Sequence, residues 1–171
     1  ASETVSSDFP ITANAFQTVY GGGGDGALTQ LDATGALVYS TFIGGNGEDG
    51  AATIAVDNTA NIYIAGSTFS TDFPAVNAVQ PSWAGGITNA HDAFVTKLDV
   101  SKAVIYSTYL GGNSIDSAYD IAVDGSGNAY IAGRTWSTNF PTVNAAQSTF
   151  GGEGTGYGDV FITKLNSSGA F

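Results

Sequence analysis

The chain has no cysteine and no methionine, and only four basic residues stand against fifteen acidic ones. Without cysteine there are no disulfides, no thiolate nucleophiles and none of the usual zinc sites, so stability has to come from packing, strand pairing or hard cations. The scarcity of Lys and Arg leaves a formal charge of −11, which opposes binding to nucleic acid or to an anionic membrane surface. No apolar run approaches the roughly 18 residues of a membrane-spanning helix, which predicts no membrane insertion, and no basic, apolar leader precedes Ala1. Because Met is absent, Ala1 reads as the product of signal cleavage or of excision from a longer protein. Helix signals are missing too: no window joins helical periodicity to caps, and 24 glycines penalise helices. What remains, 43% hydrophobic residues over 171 positions, is enough for a core.

The dominant positive signal is an internal repeat. The segment 25–66, DGALTQLDATGALVYSTFIGGNGEDGAATIAVDNTANIYIAG, aligns without a gap on 92–133, DAFVTKLDVSKAVIYSTYLGGNSIDSAYDIAVDGSGNAYIAG, with 22 of 42 positions identical. The offset of 67 residues carries Asp92 to Asp159, where a partial third copy runs over 159–171. Phe9-Pro10, Phe73-Pro74 and Phe140-Pro141 recur in the connections 8–24, 72–91 and 139–158, each followed by an Asn and a Gln: Asn14 and Gln17, Asn77 and Gln80, Asn144 and Gln147. ASETVSSDFP at the start resembles AGSTFSTDFP at 65–74. The whole of 1–171 therefore reads as a single array of about two and a half units.

Each unit contains four runs of strand length and composition, such as Phe94–Leu98, Val104–Leu110, Asp120–Val123 and Ala129–Ala132. Ile-Ala-Val is apolar throughout, which predicts an innermost strand buried on both faces. Asp57 and Asp124 open short Gly- or Asn-bearing returns and are expected to cap their own turns rather than to bind a cation. The predicted fold is all-β.

DAFVTKLD, VIYSTYLGG, YDIAVDGSGNAYIAG and T-x-S-T-[DN]-F-P, in that order and spacing, resemble the bacterial SBBP repeats of seven-bladed β-propellers, over essentially the whole chain. The resemblance implies four-stranded antiparallel blades with Ile-Ala-Val lining the central channel, then Tyr-Ile-Ala, Phe-Val-Thr-Lys-Leu and, outermost, Tyr-Ser-Thr-Tyr-Leu. One whole blade then covers about 53–110. Radial closure takes roughly four to eight blades, so this is an incomplete propeller. Its expected partners are other blades of a longer parent chain or neighbouring protein subunits, the latter making a filament or ring. Such repeats occur mostly in large exported bacterial proteins, which implies an extracellular or cell-surface structural or adhesive module.

Ligand candidates are few. Asn46, Glu48 and Asp49 in one glycine turn, and Asn113 and Asp116 in its copy, are candidate calcium ligands, since Asn and Asp three apart can aim two oxygens at one point. They are equally ordinary turn residues, and no EF-hand loop is present. Trp83 is a candidate glycan contact, with a hydrophobic plug as its competing reading. For catalysis, His91 beside Asp92 reads as a loop histidine next to an architectural Asp. No G-x-S-x-G elbow occurs, and Gly21–Gly24 lack the Lys-Ser/Thr sequel of a phosphate loop. The expectation is a non-enzymatic module needing no cofactor, with calcium or glycan as alternative ligands.

Overall fold

The computed structural model describes residues 2–152 and 156–171. Ten strands form three antiparallel sheets, and no helix occurs among the described residues. The first sheet is β1 (Ser2–Thr4), β2 (Asp25–Leu31) and β3 (Leu37–Ile43). The second is β4 (Asp49–Val56), β5 (Ile62–Thr68), β6 (Asp92–Leu98) and β7 (Val104–Leu110), in that spatial order. The third is β8 (Asp116–Val123), β9 (Ala129–Thr135) and β10 (Asp159–Leu165). The all-β expectation and the strand order implied by the resemblance both hold. The four-stranded sheet begins at Asp49, earlier than the Ile-Ala-Val run, because residues opposite the β5 terminus still pair.

Alternation along the strands gives the second sheet two apolar faces. Ile62, Ile64, Phe94, Leu98 and Tyr109 pack with Leu28, Tyr39 and Ile43 of the first sheet. Tyr63, Ala65, Val95, Tyr106 and Leu110 pack with Ala118, Ile121, Ile131 and Phe161 of the third. The sheets thus stack face to face as propeller blades do, with the middle one covered on both faces over β5, β6 and β7.

The innermost strands depart from expectation. Ile54 is 42% and Val56 58% exposed, so Ile-Ala-Val is not buried on both faces. The reason is position: Ile54 and Val56 share a face with Ile64 and Ile62, turned to the first sheet, whose order ends at the three-residue β1 and offers no strand opposite β4. On the other side β4 approaches β8, where the Thr53 hydroxyl donates to Asp120 Oδ1 at 3.2 Å. Apolar composition alone does not distinguish such an edge from a sandwiched strand.

The turns follow their sequence chemistry. Asp57 Oδ1 accepts from the Thr59 and Asn61 amides at 2.9 and 3.0 Å, and Asp124 Oδ1 from those of Ser126 and Asn128 at 2.9 and 3.0 Å. These bonds favour the ionised form: Asp124 drops to about 2, chiefly through Asn128, and Asp57 falls further below the carboxylate range despite a burial penalty. The long connections are clamped rather than loose. Phe73 is buried with its ring 4.6 Å from that of Phe94, Val76 bridges to Ser107, and Gln80 accepts from the Gly111 amide at 3.0 Å through Oε1. Gln80→Ala leaves that amide unsatisfied and is expected to cost about 2 kcal/mol, a fall of several degrees in Tm by calorimetry. An unchanged Tm would show that the connection holds without it.

Candidate functional site

The calcium candidates are drawn apart by the fold. Asn113 is tied to Thr138, its Nδ2 donating to Thr138 Oγ1 at 3.0 Å and its Oδ1 accepting from the Thr138 amide at 3.0 Å. Asp116 instead accepts from the Gly112 amide at 2.7 Å and the Ser137 hydroxyl at 2.6 Å, both on Oδ2. In the first copy, Asn46 and Glu48 are exposed while Asp49 is wholly enclosed and accepts from the Gly45 amide and Ser70 hydroxyl, each at 2.7 Å. Among the described residues, no three His, Cys, Asp or Glu side chains gather as a metal cluster.

What Asp49 and Asp116 do meet is another strand-opening aspartate from the preceding sheet. Asp49 lies across Gly44 from Asp25, and Asp116 across Gly111 from Asp92. Sequence reading had Asp92 as an architectural strand start and did not pair it with Asp116. The signal was there in the repeat, since 25 and 92, and 49 and 116, are each related by the same offset. All four side chains are fully buried. Burial disfavours their charged forms: Asp49 rises to about 6, aided by the charge of Asp25, and Asp92 to about 7, aided by that of Asp116. Asp25 and Asp116 are raised too, in both cases mainly by burial.

His91 is part of the same junction but makes no hydrogen bond to Asp92. Its Nε2 meets Ser117 Oγ at 2.8 Å, its ring lies 4.7 Å from that of Phe69, and burial lowers its pKa. Trp83 is half-buried against the first core cluster with its indole nitrogen enclosed. Gly22, Gly23 and Gly24 take φ of 129°, 65° and 155°, conformations that glycine tolerates, and Gly21 donates its amide to Asp25 Oδ2 at 2.9 Å. That glycine run serves a buried carboxylate, as the Ala84 amide serves Asp92 at 2.8 Å in the next unit.

A second feature is a face. The third sheet presents Val160 and Ile162 at 73% and 76% exposure, whereas their repeat counterparts Ala93 and Val95 in the second sheet are completely covered. Lys164 lies over the Tyr130 ring at 5.3 Å, as Lys97 lies over Tyr63 at 4.8 Å, so the surface has the same chemistry in both units.

No curated protein matches the chain. The family model for the beta-propeller repeat SBBP matches residues 105–141, a stretch running from β7 through β8 and β9 into the connection at Phe140-Pro141. Sheet order and the 67-residue periodicity accord with this match: residues 105–141 are similar to a β-propeller repeat of the SBBP type, and the antiparallel sheets are those of propeller-blade repeats.

Proposed function

We propose that the chain is a non-enzymatic structural module of an extracellular or cell-surface protein, whose blades assemble or display other parts by stacking sheet on sheet. The observation that carries this reading is the face bearing Tyr130, Val160 and Ile162. In the second sheet the same columns, Tyr63, Ala93 and Val95, are sealed by a neighbouring sheet. A face that exposes Val160 and Ile162 together, with Arg134 opposite Val160 and Lys164 opposite Tyr130, is a contact surface rather than a resting one. Its partner is a further blade, supplied by the same polypeptide or by a neighbouring subunit. Placement outside the cell rests on the resemblance to repeats of exported proteins.

The test is sedimentation velocity over a wide concentration range, with the parent chain and Val160→Lys/Ile162→Lys. The parent is expected to self-associate and the double variant, whose changes sit on an exposed surface, to remain folded and monomeric. A parent chain that stays monomeric throughout would remove the support for assembly through this face.

A further inference from the structure

The two aspartate pairs lie where one sheet meets the next. Asp25 opens β2 and Asp49 opens β4; Asp92 opens β6 and Asp116 opens β8. In every one of the four carboxylates, Oδ2 is engaged by protein donors. Asp25 Oδ2 accepts from the Gly21 amide at 2.9 Å and Gln17 Nε2 at 3.0 Å, and Asp92 Oδ2 from the Ala84 amide at 2.8 Å and Gln80 Nε2 at 3.3 Å. Asp49 and Asp116 take a glycine amide and a serine hydroxyl each, as described above. In every one, Oδ1 is buried and makes no hydrogen bond of regular geometry, with the Thr68 and Thr135 hydroxyls lying beside Asp49 and Asp116. None of these donors carries a charge.

The two carboxylates of a junction converge on one small volume. A Cβ placed on Gly44 would lie 2.9 Å from Asp25 Oδ1 and 2.8 Å from Asp49 Oδ2; one on Gly111 would lie 2.6 Å from Asp92 Oδ1 and 2.9 Å from Asp116 Oδ2. Any side chain there would collide with both carboxylates; the unpartnered Oδ1 of Asp25 or Asp92 faces the Oδ2 of Asp49 or Asp116, which also accepts from an amide and a hydroxyl. Two desolvated carboxylates side by side are unfavourable as anions unless a cation or a proton compensates them, and the chain supplies no Lys or Arg at either junction. The arrangement recurs at both junctions in the same atoms, which marks it as built rather than incidental.

We propose that each sheet-to-sheet junction binds one hard divalent cation of calcium's class through the carboxylate oxygens of Asp25 with Asp49 and of Asp92 with Asp116. Carboxylate oxygens are the preferred ligands of such ions, with neutral oxygens completing the shell. The ion ties successive sheets together at their strand starts. The exposed Asp72 adds negative charge near Asp25, whereas Asn139 stands at the corresponding place beside the second junction. The first junction is therefore the tighter of the two. This site differs from the turn set Asn46, Glu48 and Asn113, whose side chains take no part in it.

The test is calorimetric titration of CaCl2 into the full chain after chelator treatment, with thermal unfolding in calcium and in EDTA. The expected result is uptake of two calcium ions per chain with a higher Tm in calcium. Asp25→Asn and Asp92→Asn should each remove one ion, and the double variant both. These substitutions keep the side-chain size and remove an uncompensated charge, so the variants should fold, as circular dichroism checks. No uptake by the unaltered chain overturns the proposal. So does uptake that persists in the folded double variant and is lost instead in Asn46→Ala/Glu48→Ala.

Discussion

Gly66→Ala is expected to cost the chain a large part of its stability, and Gly133→Ala to do the same in the next sheet. Neither glycine has a positive φ, so the requirement is for space. Gly66 sits on β5 opposite the irregularity in β4, where pairing shifts between Ala51 and Thr53. A Cβ there would overlap the Gly50 carbonyl oxygen and lie 3.0 Å from the Ala52 amide nitrogen. Gly133 meets the Ser117 carbonyl oxygen in the same way, with the Phe161 ring 2.5 Å away. The nearest obstructing atom in each case is a backbone carbonyl oxygen of the innermost strand, which is held by its ladder with the glycine's own strand, so relief requires displacing that strand. That places the cost at the upper end for a single substitution, about 4 kcal/mol, or about 10 °C in Tm for a domain of this size. Gly125→Ala is the control: nothing lies within 4 Å of its Cβ position, and a change within about 0.5 kcal/mol is expected. Chemical denaturation of the three variants decides it, and a Gly66→Ala midpoint equal to that of the Gly125 variant would refute the steric account.

These glycines show where sequence reasoning reached and where it stopped. The 67-residue period, the strand runs and the self-capping turns of Asp57 and Asp124 are local or periodic features, and local chemistry determines them. The Phe-Pro-Asn-Gln pattern in the connections was also legible as architecture, and the clamps made by Phe73 and Gln80 accord with that. The junction pairs were not legible as pairs. Asp25 and Asp49 are separated by two strands and two turns, and only the stacking of consecutive sheets brings them to Gly44. The turn residues Asn46 and Glu48 were more conspicuous because they are adjacent in sequence. Adjacency misdirects here, since in a strand-opening turn successive side chains leave in different directions. The exposure of Ile54 and Val56 was missed for a related reason: an apolar run reports burial only if both sides of its strand are covered, which is a property of the sheet's neighbours.

Metal-free protein, kept in EDTA, is expected to lose stability as the pH rises from about 5 to about 8. Asp49 and Asp92 bind protons more tightly folded than unfolded, with folded values of about 6 and about 7 against an ordinary 3.8, and burial is the main cause in both. A carboxyl raised in this way contributes stability that is fully present below about pH 4 and is lost as the pH passes through its folded value. Asp25 and Asp116 act in the same direction. Asp124 and Asp57 act oppositely: their stabilisation is present above about pH 4 and disappears only as the pH falls to about 2 or below, which fixes the acid limb. His91, whose pKa is lowered by burial, also favours higher pH, but it is one group against four. The optimum therefore falls between about pH 4 and 6, and the loss on the alkaline side from Asp92 alone is about 3 kcal/mol. Asp92→Asn keeps the shape and removes the titrating group, so its profile should be flatter between pH 5 and 8 and cross above the parent's at the alkaline end. Urea unfolding across the pH range measures both. A parent chain that gains stability between pH 5 and 8, or an Asp92→Asn profile parallel to the parent's, would mean that the buried carboxylates stay ionised throughout and that their charge is compensated within the protein itself.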